Sequence, residues 1–325
     1  MLVTLKKQAD PKTVQSALQE MGLWTTPLVS RDEAVTALVV AKNSRLVEVS
    51  DIERVPGVSS VSAEPSGHPR LDERAGHSVH INSTVLGGGA APVLMAGPCS
   101  AESEAQVHSA AEMVAAAGGK LLRAGAFKPR TSPYSFAGFG RPALGWIRDA
   151  ADANGLGVVT EVMSESEVEA VGEIADLVQI GSRNMQNFAL LHRVGALGRP
   201  VLLKRGMAAS VHEWLMAGEH LLAAGAADVV FCERGIASFD SSTRNLLDLG
   251  AVALMKHVHN LTVIVDPSHA VGRRDLIPVL AKAALAAGAD GLIVEVHPQP
   301  SQAKSDGPQA LNLAELLSLK NRCFE

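Results

Sequence analysis

Four residues of the types that bind transition metals are Cys99, His269, Glu295 and Asp306. The first three lie at or just after the ends of apolar runs, and Asp306 lies in the loop AKSDGPQ that follows the last run. A thiolate, an imidazole and two carboxylates form a mixed soft and hard ligand set that suits a divalent first-row metal. Taken singly, Cys99 is better explained as core packing and His269 as a hydrogen-bonded loop histidine. A Cys99–His269 nucleophile and base is the competing functional interpretation. Two nearby carboxylates would raise the pKa of the thiol, so the set narrowly favours a metal site.

Basic residues follow apolar runs of the same kind in a chain whose net charge is −5. They are Arg123, Lys128, Arg130, Arg183, Lys204 and Arg234. Any one of them alone is more simply a solvated surface charge. Together they exceed what one phosphate requires, because arginine forks and lysine charges bind phosphate and carboxylate efficiently. The set predicts two anionic substrates, or one with several anionic groups.

The segment KPRTSPYS is the most compact basic motif. Pro129 fixes a turn, and Arg130, Thr131 and Ser132 add a charge, hydroxyls and backbone N–H groups. This combination predicts a phosphate clamp.

The elements that must position these side chains are repeated strand–helix units. Apolar strands are predicted at 93–97, 120–125, 157–162, 176–181, 200–204, 228–233, 262–266 and 291–296, each followed by a helical stretch. Eight such units predict a (β/α)8 TIM barrel, whose chemistry lies at the carboxyl ends of its strands. Barrel closure would bring the first and last strands together, and with them Cys99 and Glu295. No G-x-G-x-x-G follows the first strand, which weakens a dinucleotide-binding interpretation.

The residues before this repeat have a different pattern. Strands at 1–5, 23–29, 35–41 and 58–63 and helices at 11–21 and 51–55 give the order βαββαβ, which is ferredoxin-like. The α/β chain is therefore predicted to contain a small ferredoxin-like (ACT-like) domain at 1–66, a linker at 67–90 and the barrel at 91–325.

Composition excludes several classes of protein. A net charge of −5 gives no basic field for nucleic acid or an anionic membrane. Three scattered cysteines cannot form a disulfide framework, which favours a reducing compartment. The first residues lack an apolar signal region, so a cytoplasmic protein is expected.

Seven motifs in order resemble a known family: GPCSAES, RAGAFKPRTSPYSF, IGSRNMQNF, LLKRG, CERGI, VDPSHAVGRRDL and VEVHPQPSQAKSDGPQAL. The chain resembles the 3-deoxy-D-arabino-heptulosonate 7-phosphate (DAHP) synthases of type I, in the subgroup with an N-terminal ferredoxin-like domain. The resemblance implies condensation of phosphoenolpyruvate with D-erythrose 4-phosphate and water to give DAHP and phosphate, the first step of the shikimate pathway.

The resemblance also implies roles for individual residues. A divalent metal, Mn²⁺ or another first-row transition metal, would be bound by Cys99, His269, Glu295 and Asp306. Phosphoenolpyruvate would be bound by Arg123, Lys128, Arg183, Lys204 and Arg234, and erythrose 4-phosphate by Lys128, Pro129, Arg130, Thr131 and Ser132. Lys128, Cys99 and His269 would surround the reacting groups, with Lys128 favoured as the proton donor, and Glu161 would orient the attacking water.

Two alternatives and one question of regulation remain. The first alternative is the family of 3-deoxy-octulosonate phosphate synthases, which carries Lys-Ala-Asn-Arg-Ser in place of KPRTS and usually lacks the extra domain. The KPRTS motif and the extra domain of this chain therefore favour erythrose 4-phosphate over arabinose 5-phosphate as the substrate. A non-catalytic barrel that senses a ligand is the other alternative. The resemblance implies a homodimer or homotetramer and feedback inhibition by an aromatic amino acid through the first domain. A purely structural or oligomerising role for that domain is the alternative.

Overall fold

The computed structural model describes residues 1–29, 34–41, 44–62, 66–128, 134 and 136–324. It divides into two compact units, Met1–Gly67 and His68–Glu325.

The first unit is an antiparallel sheet covered by helices. Its strands are β1 (Leu2–Leu5), β2 (Thr25–Val29), β3 (Val35–Val40) and β4 (Val58–Ser62), and its helices are α1 (Pro11–Glu20) and α2 (Val49–Glu53). The sheet order β2-β3-β1-β4 is that of a ferredoxin-like fold. Asp10 caps α1 by accepting from the Lys12 and Thr13 backbone N–H groups, and Pro11 occupies the first turn, where no N–H is needed. Val3, Leu18, Leu38 and Ile52 are fully buried in this unit's own core.

The second unit is a parallel barrel. Within the described residues, eight strands close in the order β10-β11-β12-β13-β14-β7-β8-β9. They are β7 (Val93–Gly97), β8 (Leu121–Arg123), β9 (Gly157–Val162), β10 (Leu177–Ile180), β11 (Val201–Lys204), β12 (Val229–Glu233), β13 (Val263–Val265) and β14 (Gly291–Glu295). The predicted TIM barrel and ferredoxin-like fold are confirmed.

Helices surround this barrel and follow most of its strands. They are α4 (Glu104–Ala116), α5 (Arg141–Ala153), α6 (Val168–Ile174), α7 (Phe188–Gly195), α8 (Val211–Ala223), α9 (Leu249–Ala253), α10 (Pro267–Val271), α11 (Ile277–Ala286) and α12 (Leu313–Cys323), with a short α3 (Pro69–Asp72) before them. Ser210 and Glu213 form a capping box at the start of α8, and Asn312 and Glu315 form another at α12. Of the helices the structure describes, none is both long enough and apolar enough to cross a membrane.

The segment 67–90, predicted as a linker, instead forms regular structure. After α3 it contains a hairpin of β5 (Ser78–Ile81) and β6 (Thr84–Gly87). Val79, Ile81 and Leu86 are buried in the same apolar cluster as the inward-facing strand residues Val93 and Ile293. The hairpin therefore closes the amino-terminal end of the barrel. Alternate apolar residues around a turn at Asn82, whose φ is +50°, explain why this polar-looking segment folds.

Candidate active site

A polar cleft opens at the carboxyl ends of the barrel strands. It is lined by Cys99, Arg123, Lys128, Glu161, Gln179, Gly181, Ser182, Arg183, Lys204, Met207, Arg234, Arg244, His269 and Asp306. Every predicted site residue that the structure describes lies in this lining except Glu295. That carboxylate is buried beneath it and bonded to Arg123.

Barrel closure brings the predicted metal ligands together. Strand β14 pairs with β7 so that Glu295 lies opposite Gly97, two residues before Cys99. The Cys99 thiol donates a hydrogen bond to Asp306 Oδ2 over 3.2 Å. His269 Nε2 is 3.3 Å from Glu295 Oε1 and 4.0 Å from Asp306 Oδ2. Ligand atoms of Cys99, Glu295 and Asp306 all lie within 4.8 Å of one another.

Gly97 makes this approach of the strands possible. Its φ is +153°, and a Cβ at this position would lie 1.9 Å from the Arg123 carbonyl oxygen. No larger residue fits between β7 and β8 at this point without a shift of the backbone. Gly97 therefore determines where the chain leaves β7, and so the position of Cys99 two residues later.

The orientation of His269 fits a cation at this cluster. Its Nδ1 is 2.7 Å from the buried Asp266 carboxylate, an acceptor that favours the proton on Nδ1. The lone pair of Nε2 then faces the Glu295 and Asp306 carboxylates, an arrangement that is repulsive until a cation lies between them. A carboxylate behind a ligating histidine is the usual second partner of a protein metal site. The donor set and its spacing therefore fit a divalent metal.

The environment of Cys99 disfavours a free nucleophile. Burial, followed by the charge of Glu295, raises the pKa of the Cys99 thiol to about 11. Without a bound cation the sulfur therefore stays protonated at neutral pH, and among the described residues its hydrogen bond goes to Asp306. Metal coordination deprotonates a thiol outright, which makes a ligand role compatible with this environment.

Three buried cations of the cleft differ in whether they have a carboxylate partner. Arg123 donates to Glu295 Oε1 over 2.8 Å, and Lys204 donates to Asp266 Oδ2 over 2.5 Å, so both have carboxylate partners. Arg234 is buried, yet within the described residues its Nη1 has no hydrogen-bond partner. Burial lowers the pKa of Arg234, since its carboxylate neighbours do not fully offset the loss of water. An unpaired buried guanidinium N–H at a cleft predicts an anion there.

Comparison with known proteins agrees with this geometry. The family model of the DAHP synthetase I family matches residues 72–324. The chain belongs to the DAHP synthetase I family. A phospho-2-dehydro-3-deoxyheptonate aldolase of Thermotoga maritima is 38% identical over 317 residues, which is 96% of this chain and 93% of the relative. This match identifies the chain as an enzyme.

Solved structures and a second type of relative extend the comparison. The crystal structure of the Thermotoga maritima DAHP synthase superposes with a TM-score of 0.77 at 36% identity, covering 98% of this chain and 95% of that one. Its truncated form gives a TM-score of 0.70 at 40% identity over 75% of this chain and 89% of that chain. A 2-dehydro-3-deoxyphosphooctonate aldolase of Acidithiobacillus ferrooxidans is 34% identical over 245 residues, 70% of this chain and 86% of the relative.

In this member of the DAHP synthetase I family, Glu161 lies at the cleft beside Gln179. Its Oε2 accepts a hydrogen bond from Gln179 Nε2 over 3.1 Å. A Cβ at Gly181 would lie 2.0 Å from Glu161 Oε1, so the glycine leaves room for that carboxylate. The predicted clamp residues Pro129, Arg130, Thr131 and Ser132 lie outside the described residues, while Lys128 before them lines the cleft.

Arg244 and Gln309 contact the carboxylates of the site, although the sequence did not predict them as site residues. Arg244 Nη1 donates to Asp306 Oδ1 over 3.3 Å and to Gln309 Oε1 over 3.1 Å. Gln309 Nε2 in turn donates to Glu295 Oε2 over 2.6 Å. Both residues lie in loops beyond the ends of strands, where the strand-end rule gives no signal. The only sequence hint for Gln309 is its place in the SDGPQ motif beside Asp306.

Arg205, next to Lys204 in the LLKRG motif, serves another purpose. It donates to Glu233 over 3.0 Å and to Asp248 over 2.8 Å. The buried Glu233 pair and the partly buried Asp248 pair join the ends of β11 and β12 to the start of α9, so Arg205 is part of the scaffold beneath the cleft.

Proposed function

We propose that the protein condenses phosphoenolpyruvate with D-erythrose 4-phosphate and water, giving DAHP and inorganic phosphate. The match to a phospho-2-dehydro-3-deoxyheptonate aldolase over nearly the whole chain, N-terminal unit included, carries this proposal. The cleft supports it, because a buried unpaired guanidinium beside further cations suits a substrate that is both a phosphate ester and a carboxylate.

The phosphoenolpyruvate site is proposed at Arg123, Lys128, Arg183, Lys204 and Arg234, all of which line the cleft. Arg234 Nη1 is buried and has no hydrogen-bond partner among the described residues. Arg123 and Lys204 are held by Glu295 and Asp266, so their positions are fixed before substrate arrives. Such preorganised charges bind a dianion without reorganising during the reaction. Erythrose 4-phosphate is proposed to use Lys128, Pro129, Arg130, Thr131 and Ser132.

In the proposed reaction, C3 of phosphoenolpyruvate attacks the aldehyde carbon of erythrose 4-phosphate. Water adds to C2, and the resulting hemiketal phosphate expels inorganic phosphate. Lys128 donates a proton to the former aldehyde oxygen, which becomes the new hydroxyl, and Glu161 orients the water. Cys99, His269, Glu295 and Asp306 would hold a divalent metal, Mn²⁺ or another first-row ion, which when bound supplies Lewis acidity to the aldehyde oxygen.

Rates measured with each aldose phosphate test the reaction. Loss of phosphoenolpyruvate is followed with erythrose 4-phosphate or with arabinose 5-phosphate as the acceptor. Faster turnover with arabinose 5-phosphate would instead favour a 3-deoxy-octulosonate phosphate synthase, the activity named for relatives that are 34% identical.

Metal dependence is tested separately. Chelation should abolish the loss of phosphoenolpyruvate, and Mn²⁺ should restore it. A protein that consumes no phosphoenolpyruvate with either acceptor, with or without metal, would point to the non-catalytic ligand-sensing barrel.

We further propose that the domain at 1–66 is regulatory and that an aromatic amino acid inhibits through it. The support is the ferredoxin-like topology of Met1–Gly67. Titrating tyrosine, phenylalanine and tryptophan against activity tests this role, and no response to any of the three would favour a structural one. A homodimer or homotetramer remains a prediction that sedimentation analysis would test.

A further inference from the structure

Three loops of the active-site end meet around two residues that carry none of the proposed chemistry, Glu102 and Lys304. Glu102 lies in the loop after β7, three residues beyond Cys99. Lys304 lies in the loop after β14, two residues before Asp306. The aromatic residues that Lys304 contacts lie in the loop after β8, which begins beside Lys128. Each of the three loops thus carries a residue of the proposed active site.

Glu102 ties the loop after β14 to the loop after β7. Its Oε1 accepts the backbone N–H of Lys304 over 2.7 Å. Its Oε2 is 3.6 Å from Nε2 of buried His297. That nitrogen has no hydrogen-bond partner among the described residues, whereas His297 Nδ1 accepts the Gln299 backbone N–H over 3.0 Å. The hydroxyls of Ser100 and Ser305 share a hydrogen bond of 2.5 Å beside this contact. The Glu102 and His297 side chains are 9% and 8% exposed, so this is an interior contact between the two loops.

The Lys304 side chain extends the connection to the loop after β8. Its Nζ is 5.0 Å from the ring centre of Phe136 and 5.3 Å from that of Phe139. Phe139 in turn packs edge-on against Trp146 of α5, with ring centres 5.5 Å apart. The base of this loop is closed by a hydrogen bond of 2.9 Å from the Lys128 N–H to the Ala137 carbonyl. A cation above two rings therefore joins a loop based at Lys128 to a loop that carries Asp306.

The backbone conformation of Asp306 is unfavourable, so contacts from neighbouring residues are needed to hold it. Its φ is +53°, in the left-handed region that residues other than glycine rarely adopt. A conformation of this kind persists where the surrounding contacts fix it. The contacts from Ser305 and Lys304 are made immediately before Asp306 in the chain.

We propose that Glu102 and Lys304 are positioning residues that fasten the loop carrying Asp306 to the loops carrying Cys99 and Lys128. The proposal rests on the proposed function, because it assigns these loops to metal and aldose phosphate binding. Glu102 fixes the separation of Cys99 and Asp306 and so governs metal affinity. Lys304 fixes the loop based at Lys128 and so governs binding of the aldose phosphate.

Metal binding by the full chain tests the role of Glu102 without any substrate. Calorimetry of the metal-stripped protein with Mn²⁺ should show about 10–100-fold weaker binding for Glu102→Ala, the size of a lost hydrogen bond to a charged group. Glu102→Gln keeps an oxygen that accepts the Lys304 N–H and loses only the charge of the side chain. It should therefore bind Mn²⁺ within about threefold of the parent. Unchanged affinity in Glu102→Ala would overturn this role. If Glu102→Ala does not fold, Ser305→Ala replaces it, because it removes the second contact between the same loops.

Steady-state kinetics test Lys304 with whichever aldose phosphate the protein accepts. Lys304→Met should raise the KM for that substrate about 2–5-fold, the size of an exposed cation–π contact, while the KM for phosphoenolpyruvate stays unchanged. Lys304→Arg keeps a cation over the rings and should restore the parent value. Lys282→Met, an exposed lysine on α11, is the matched control.

Equal effects of Lys304→Met on both KM values, or an effect no larger than that of Lys282→Met, would overturn the role of Lys304. The outcomes separate this proposal from the proposed function. Preference for arabinose 5-phosphate, or absence of turnover, contradicts the function, whereas the Mn²⁺ titration still decides the role of Glu102.

Discussion

The two ends of the barrel are built from the same strands but differ in chemistry. At the amino-terminal end the β5–β6 hairpin packs Val79, Ile81 and Leu86 against the inward-facing apolar residues of the strands. At the carboxyl end the same strands present buried charges: Arg123, Lys204, Arg234, Glu233 and Glu295. Apolar burial stabilises wherever it occurs, whereas a buried charge contributes only when it is paired. Apolar packing at the amino-terminal end therefore stabilises the fold. The buried polar groups at the carboxyl end cost some of that stability and are held in position to bind ligands.

Replacing Arg234 should separate function from stability most strongly. Arg234→Met removes the buried guanidinium whose Nη1 has no partner among the described residues. We expect kcat/KM for phosphoenolpyruvate to fall roughly 1,000-fold, equivalent to about 4 kcal/mol, the loss expected when one side of a buried charged pair is removed from a complex. The thermal midpoint of the free protein should fall little, because Nη1 has no hydrogen bond to a described residue that could be lost. Initial rates and calorimetric melting check both expectations.

Arg205→Met is the matched control for that experiment. Arg205 is also a buried arginine at the carboxyl end, but it is paired with Glu233 and Asp248. Its loss should lower the free energy of unfolding by about 3–5 kcal/mol because it leaves buried carboxylate charge without a partner. Equal destabilisation by the two substitutions would contradict the distinction between paired and unpaired cations.

A substitution at the opposite end should have the converse effect. Leu86→Ala in the hairpin should lower the free energy of unfolding by about 3 kcal/mol, within the range for a fully buried leucine. The KM values of the folded fraction should stay at the parent values, since Leu86 packs at the other end of the barrel from the cleft. Urea unfolding and steady-state kinetics measure these quantities. Leu313→Ala, at an exposed site on α12, should change stability by much less, and an altered KM in Leu86→Ala would show that the ends are coupled.

Two buried cysteines allow the proposed metal cluster at the carboxyl end to be compared with the apolar interior of the barrel. Cys99→Ser should weaken Mn²⁺ binding at least about tenfold and remove most metal-dependent activity, while the fold is kept. Cys232→Ser, in the interior apolar cluster, should leave Mn²⁺ binding unchanged and lower stability instead. Calorimetric titration and melting of both variants give the comparison. Similar Mn²⁺ affinities for the two variants would count against Cys99 as a ligand.

The smallest expected effect concerns space beside Glu161. Gly181→Ala places a Cβ atom 2.0 Å from the present position of Glu161 Oε1, so the carboxylate must move. If Glu161 orients the water as proposed, its displacement should lower kcat roughly tenfold. Gly145→Ala, on α5 where an added Cβ meets nothing within 4 Å, should leave kcat unchanged. Parent-like kcat in Gly181→Ala would remove the support for a role of Glu161.

Much of this architecture could be predicted from the sequence, because buried parallel strands appear as continuous apolar runs. The strands at Val93–Gly97 and Gly157–Val162 have the predicted bounds, and the others begin or end within two residues of them. The sequence predicts Cys99, His269 and Glu295 from the types of side chain at or just after strand ends, and Asp306 from its place in the last loop. Barrel closure explains why they meet. The roles assigned to them, and the domain boundaries, remain predictions.

Other features could not be predicted because they depend on tertiary contacts. The hairpin at 78–87 looked like a linker, since its burial arises only when the barrel is present to receive Val79 and Leu86. Arg244 and Gln309 lie in loops whose course no local pattern fixes, and both contact the carboxylates of the cluster. The different tasks of Lys204 and Arg205, adjacent in the chain, follow from the alternation of side chains between the inside and outside of the barrel.

Closure of the barrel also has a consequence for how the chain folds. The hydrogen bonds between β7 and β14 join the first barrel strand to the last, and Ile293 of β14 completes the apolar cluster under the hairpin. Until β14 has been synthesised, β7 and β13 have unpaired edges, and the cluster lacks one of its walls. Long-range strand pairing of this kind slows folding and exposes edges that can aggregate. Closure of the barrel therefore has to wait until β14 has been synthesised.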